Sequence, residues 1–171
     1  MGKRMNELFD VKVFNSPLEI ALRLLLIILK AGGKGISLDK LIIYDYLILN
    51  SGDVKDAPSS LHPALPNRSS QLLVKREVVK KSLQILSSKE LLIVRFTSNG
   101  ILYCPSELSS PFVQYFESTY FLELNKRTEW IIENFKDKTT KYLDKYINSN
   151  LNNWGSEFIN ESYFREELNY E

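Results

Sequence analysis

The stretch from Ser16 to Gly33 constrains this chain more than any other. Ser16-Pro17-Leu18-Glu19 has the form of a capping box, and Ile20, Leu22, Leu24, Leu25, Leu26, Ile27, Ile28 and Leu29 follow almost without polar interruption. A serine hydroxyl accepts from the amide three residues on, proline at the first helical position forfeits no donor, and glutamate returns to the cap. The spacing predicts a helix running to about Ala31, closed by Gly32-Gly33 in left-handed conformation. Leu22, Leu25, Leu26 and Leu29 form one stripe, and the other aliphatics widen it until only Glu19, Arg23 and Lys30 are expected to face water. Such a helix needs neighbours on most of its sides, so it is read as the centre of a helical core.

The following segments supply those neighbours. Ser37 caps a second helix from Leu38 to about Leu49, with Asp39 favourable at its positive end and Asn50-Ser51-Gly52 ending it. From Gly52 to Ser70 the composition changes to that of turns, with Pro58, Pro63 and Pro66 among serines. A loop of this length inside a compact domain is usually functional or a linker; Leu61, His62, Pro63 and Leu65 give it apolar anchors, which favours function. A third helix from about Gln71 to Ser88 carries Leu72, Val79, Leu83 and Leu86 on one side and Arg76, Lys80, Lys81, Gln84 and Ser87 on the other. Leu91 to Phe96 reads as a strand, Thr97-Ser98-Asn99-Gly100 as a hairpin turn, and Ile101 to Cys104 as the returning strand. Three helices followed by a hairpin is the order of a winged helix.

Beyond Pro105 the pattern is helical again. Ser106 to about Tyr120 is read as a helix with Leu108, Phe112, Tyr115, Phe116 and Thr119 inward. A longer helix is read from about Phe121 to Ser149, its end projecting beyond the core. The expected architecture is therefore mainly α with a small β-hairpin: a winged-helix core over residues 1–105 with an inserted loop at 50–70, and a C-terminal helical extension over 106–171. The closing segment sets Trp154, Phe158, Ile159, Tyr163, Phe164 and Leu168 among five acids and Arg165. It is read as a last helix folded back on its own domain, as a segment docking on a partner through Trp154 and Phe158, or as a disordered tail.

Scarce residues exclude most chemistries. The chain has 171 residues, enough for one core, and carries 22 basic and 21 acidic side chains, so no global field marks it for nucleic acid or an anionic membrane. One cysteine, Cys104, permits no internal disulfide, and the cytoplasm is the simpler home. Cys104 and the lone His62 cannot build a Cys/His zinc cage, and no metal site or other cofactor is expected. The run Leu24 to Leu29 is too short to span a bilayer, so no membrane association is expected. Gly32-Gly33-Lys34-Gly35-Ile36-Ser37 lacks Walker A spacing and follows a helix instead of a strand. Cys104 with His62 has no recognisable orienting or oxyanion group, so no catalytic residue and no enzyme class emerges. The basic face of the third helix has two readings, phosphate and base recognition or an ordinary solvated face. About 20 residues separate it from its predecessor, where a DNA-reading motif has a turn of 3 or 4.

The ordered set Pro17-Leu18-Glu19-Ile20-Ala21-Leu22-Arg23, Leu38-Asp39-Lys40-Leu41-Ile42-Ile43-Tyr44-Asp45-Tyr46-Leu47, Asn50-Ser51-Gly52-Asp53, Ser60-Leu61-His62-Pro63, Pro66-Asn67-Arg68 and Glu129-Trp130 resembles the middle component of bacterial ABC three-component systems, over about residues 14–136. The resemblance implies a small winged-helix adaptor, not a catalyst. Such proteins are encoded between an SMC-like ABC ATPase and an effector, often a nuclease, in defence against phage and plasmids; Lamassu systems are related. Its partners would be those two subunits, with possible DNA contact inside the complex and no small-molecule substrate. The family pattern emphasises Ser51, Gly52, Asp53, Leu61, His62, Pro63, Pro66 and Arg68, all in or beside the loop already singled out by its length. It differs at Asn67 and Ser69-Ser70, where small or glycine-containing segments are expected. Arg68 is expected to pair with Asp53 or Asp45 and pin the loop. The alternative is a winged-helix DNA-binding transcriptional regulator, using Arg76, Lys80, Lys81 and Arg95 of the hairpin.

Overall fold

The computed structural model describes residues 16–62 and 70–154. Helix α1 spans Pro17–Ala31, strand β1 Ile36–Ser37, α2 Leu38–Leu49, α3 Ser70–Ser88, β2 Leu92–Thr97, β3 Gly100–Pro105, α4 Ser109–Val113, α5 Thr119–Phe135 and α6 Thr140–Trp154. The protein is mainly helical, with one small antiparallel sheet. The expected caps form: the Glu19 amide donates to Ser16 Oγ at 3.2 Å and the Lys40 amide to Ser37 Oγ at 3.4 Å. Gly32 closes α1 at φ 78°. There its backbone N–H donates to the Ile28 and Leu29 carbonyls, groups that would otherwise be left unsatisfied.

Helix α1 is central, packing against α2, α3 and α5, while α2 also carries α6. Leu24, Leu25, Ile27 and Ile28 are fully buried, each worth roughly 1.5–3 kcal/mol over its exposed state. Leu41 to Leu49 of α2 is buried throughout, because α1, α3, α5 and α6 all pack against it.

The hairpin turns through Ser98-Asn99, with Thr97 opposite Gly100 and Leu92 opposite Pro105. It is not alone. Ile36 and Ser37 pair with Tyr103 and Leu102, giving a three-stranded sheet in the order β1-β3-β2. Two residues carry no readable strand period, so only the neighbouring β3 edge reveals β1. Gly35 permits this approach. Its φ is +81°, and a Cβ there would lie 2.7 Å from Cys104 Sγ. Cys104 itself is a buried free thiol.

The C-terminal half departs from expectation. In place of a helix over Ser106 to Tyr120 there is only the short α4. Leu108 and Phe112 are substantially exposed and Tyr115 is 86% exposed. With Leu18, Leu22, Ile85 and Leu91, Leu108 and Phe112 line an apolar cleft of about 820 Å³. The long helix expected from Phe121 to Ser149 is two helices. The chain turns at Lys136 to Lys138, where the Lys138 amide donates to the Phe135 carbonyl, and Thr139 caps α6 by accepting from the Tyr142 amide. Instead of projecting, α6 folds back so that Leu143 and Ile147 are buried against α2. No helix among the described residues is long and apolar enough to cross a membrane.

Candidate functional site: a buried ion network beneath a pinned loop

Arg23 was expected to face water. Instead it is 1% exposed, and Asp45 opposite is 0% exposed. Arg23 Nε donates to Asp45 Oδ1 at 2.7 Å and one terminal nitrogen to Oδ2 at 3.4 Å, a two-point contact suited to the planar guanidinium. Lys75 of α3, also buried, places Nζ 3.0 Å from Asp45 Oδ2. Burial by itself would push the Asp45 carboxyl upward, but the Arg23 and Lys75 charges and their hydrogen bonds hold it well below the usual carboxylate range. Burial pulls the Lys75 ammonium down from its ordinary value, and Asp45 only partly offsets that. Two cations on one carboxylate tie α1, α2 and α3 together at the middle of the core.

From Arg23 the network runs outward. A terminal nitrogen of Arg23 donates to Glu19 Oε1 at 3.1 Å, and the Tyr120 hydroxyl donates to the same oxygen at 3.2 Å. The Tyr120 oxygen lies 3.1 Å from His62 Nε2. Tyr120 has one proton and gives it to Glu19, so the hydrogen between Tyr120 and His62 belongs to the imidazole, which donates. Burial, then the Glu19 charge, raises the Tyr120 pKa to about 12. Burial lowers the His62 pKa from its ordinary value.

The loop from Ser51 to His62 is closed on itself and held to α5 at further points. Ser51 Oγ donates to the Ser59 carbonyl at 3.1 Å, and the Gly52 amide donates to Ser60 Oγ at 3.0 Å. Buried Arg127 donates from Nε to the Ser59 carbonyl at 2.8 Å and is itself paired with Glu123 Oε2 at 2.8 Å. Gly52 is needed because a Cβ would sit 3.0 Å from the Ser60 amide nitrogen and 2.9 Å from its Oγ. Asp53 closes a 3-10 turn over Ser51–Asp53, its amide donating to the Asn50 carbonyl at 2.9 Å. Leu61 packs half-buried against the core.

Of the residues singled out from sequence, Ser51, Gly52, Asp53, Leu61 and His62 therefore fall in one pinned loop. Pro63, Pro66 and Arg68 lie outside the described residues, as does Phe158; Trp154 is the last residue of α6. Asp45 pairs with Arg23 and Lys75, and the expected pairing of Arg68 with Asp53 or Asp45 lies outside the described residues. The basic residues have separate partners. Arg76 pairs with Asp39 at 2.7 Å, Lys80 with Glu77 at 2.8 Å, and Arg95 donates to the Gly33 carbonyl at 2.8 Å, while Lys81 is exposed. Sequence reading missed Arg23, Lys75, Tyr120 and Arg127. The one available signal was the pair of opposite charges, Arg23 and Asp45, each inside a long aliphatic run.

The described residues thus form a small, mainly helical fold with a buried ion network and a pinned, partly exposed loop. The chain belongs to the ABC-three component (ABC-3C) system Middle Component 2 family, whose model matches residues 13–157. It is thus one component of a multi-component system. No match was found among curated proteins or among solved structures.

Proposed function

We propose that the protein is a non-catalytic adaptor that bridges an SMC-like ABC ATPase and a nuclease-like effector in a cytoplasmic, Lamassu-related defence complex against phage or plasmids. The observation that carries this reading is the loop from Ser51 to His62. It has almost no regular structure, yet Ser51 and Gly52 close it on Ser59 and Ser60, Arg127 holds it to α5, and His62 ties it through Tyr120 and Glu19 to the buried network. Ordering a loop before binding lowers the entropic cost of association, as a docking surface requires. Membership of a three-component family supplies the need for partners.

The order α1-β1-α2-α3-β2-β3 with strands arranged β1-β3-β2 supports a winged-helix core, which keeps DNA contact within the complex as a second reading. The Asp39 and Glu77 carboxylates on Arg76 and Lys80 weigh against the exposed α3 face as a strong phosphate binder. Co-expression with the genes on either side of its own tests the adaptor reading. The tagged wild-type chain should capture both neighbours at moderate salt, and the His62→Ala/Tyr120→Phe pair should weaken that capture without unfolding the protein. Failure of the wild type to retain either neighbour would refute the bridge.

A further inference from the structure

Seven described cations have a carboxylate within reach: Arg23 and Lys75 share Asp45, Lys30 has Glu129, Arg76 has Asp39, Lys80 has Glu77, and Lys126 and Arg127 share Glu123. Among the cations without an ion pair, Lys34, Lys40 and Lys136 line one concavity of about 480 Å³. It lies between the turn after α1, the start of α2 and the end of α5. Tyr44 and Asp137 also line it, so it gathers three positive side chains and one negative in a chain whose net charge is only +1.

The frame around these lysines is rigid. Gly35 presses the turn carrying Lys34 against Cys104 and Leu102 of β3, and Arg95 donates to the Gly33 carbonyl of the same turn. The Tyr44 hydroxyl donates to the Phe135 carbonyl at 3.0 Å, locking α2 to the last turn of α5 beside Lys136. With its proton given to Phe135, Tyr44 offers no donor and the lysines supply the binding charge. A solvated face needs neither convergence nor a fixed backbone, whereas an anion site needs both.

We propose that Lys34, Lys40 and Lys136 form a binding site for a phosphate group, belonging either to a free nucleotide or pyrophosphate or to a nucleic-acid backbone. The site is separate from the basic face of α3 and does not depend on the adaptor reading. Its volume lies within the range of small-ligand pockets, large enough for a phosphate and part of what carries it.

The purified full chain is titrated with inorganic pyrophosphate by calorimetry and with a 20-base-pair duplex by fluorescence anisotropy at low salt. The wild type is compared with Lys34→Ala/Lys40→Ala/Lys136→Ala, the matching glutamine triple, and Lys80→Ala/Lys81→Ala. We expect at least one probe to bind the wild type, both pocket triples to weaken it by about tenfold or more, and the α3 double to change it by less than about twofold. Loss confined to pyrophosphate assigns the free-anion source. Loss confined to duplex, with the salt slope shallower by about 2.7, assigns the backbone source. Absence of binding to either probe, unchanged affinity in the triples, or equal loss in the α3 double would overturn the site. The replaced side chains reach solvent, so either triple should keep a wild-type thermal midpoint within about 2 °C and loss of fold cannot account for the result.

Discussion

Arg23→Met is the most direct test of the buried network, because it leaves Asp45 in the core with Lys75 as its remaining counter-ion. Breaking a buried pair by removing one partner costs about 3–5 kcal/mol, since the orphaned charge cannot return to water. Lys75 at 3.0 Å from Oδ2 still compensates part of the Asp45 charge, so Arg23→Met belongs near the lower end, about 3 kcal/mol. Asp45→Leu removes the carboxylate shared by two buried cations; Arg23, at 1% exposure, keeps Glu19, but Lys75, at 7%, loses its described ion partner, so this variant belongs near the upper end, about 5 kcal/mol. For a chain of this size each kcal/mol moves the midpoint by roughly 2–4 °C, so the two variants should fall by about 6–12 °C and 10–20 °C. Replacing all three groups by Arg23→Met/Asp45→Leu/Lys75→Met removes the desolvation cost with the attraction and should restore most of the loss. Thermal unfolding by circular dichroism and urea midpoints read all three variants. If Arg23→Met and Asp45→Leu each cost under about 1 kcal/mol, or if Arg23→Met is the worse of the two, the charges are not desolvated as described.

The same carboxylate sets an acid limit. Its folded pKa lies below the unfolded value of about 3.9, so the unfolded chain binds the proton first, and stability is fully present above that value and lost as pH falls through the folded one. Urea unfolding between about pH 6 and 2 should show a steeper acid loss for the wild type than for the all-apolar triple; parallel curves would remove Asp45 from the account. Gly52→Ala should cost about 1–3 kcal/mol and speed proteolysis within residues 51–62, because its methyl meets the Ser60 amide nitrogen at 3.0 Å. An unchanged midpoint and cleavage rate would mean that the loop gives way without cost.

Local chemistry made much of the fold legible. The Ser16 and Ser37 caps, the glycine stop at Gly32 and the Ser98-Asn99 turn each depend on hydrogen bonds closed within a few residues, so the residue types announce the geometry. The loop from Ser51 to His62 was likewise visible, as a break in periodicity too long for a simple connection. The turn at Lys136 to Lys138 was written only faintly, in Thr139 as a cap, because the apolar stripe continues through it with Phe135 on one side and Leu143 on the other.

Tertiary structure decided the rest. Whether Arg23 faces water depends on Asp45, 22 positions away, and on Lys75 arriving from a third helix; helical periodicity treats every charge as a surface charge. Strand β1 exists because β3 offers it an edge, and the apolar side of the segment after Pro105 remains open because only five residues of it become helix. The attachment of His62 to Tyr120, and of Ser59 to Arg127, spans 58 and 68 positions. Contacts at that range are set by how whole helices pack. The sequence by itself thus determined where elements start and stop, and the packing of α1, α2, α3 and α5 determined which charges became a buried network and which loop it supports.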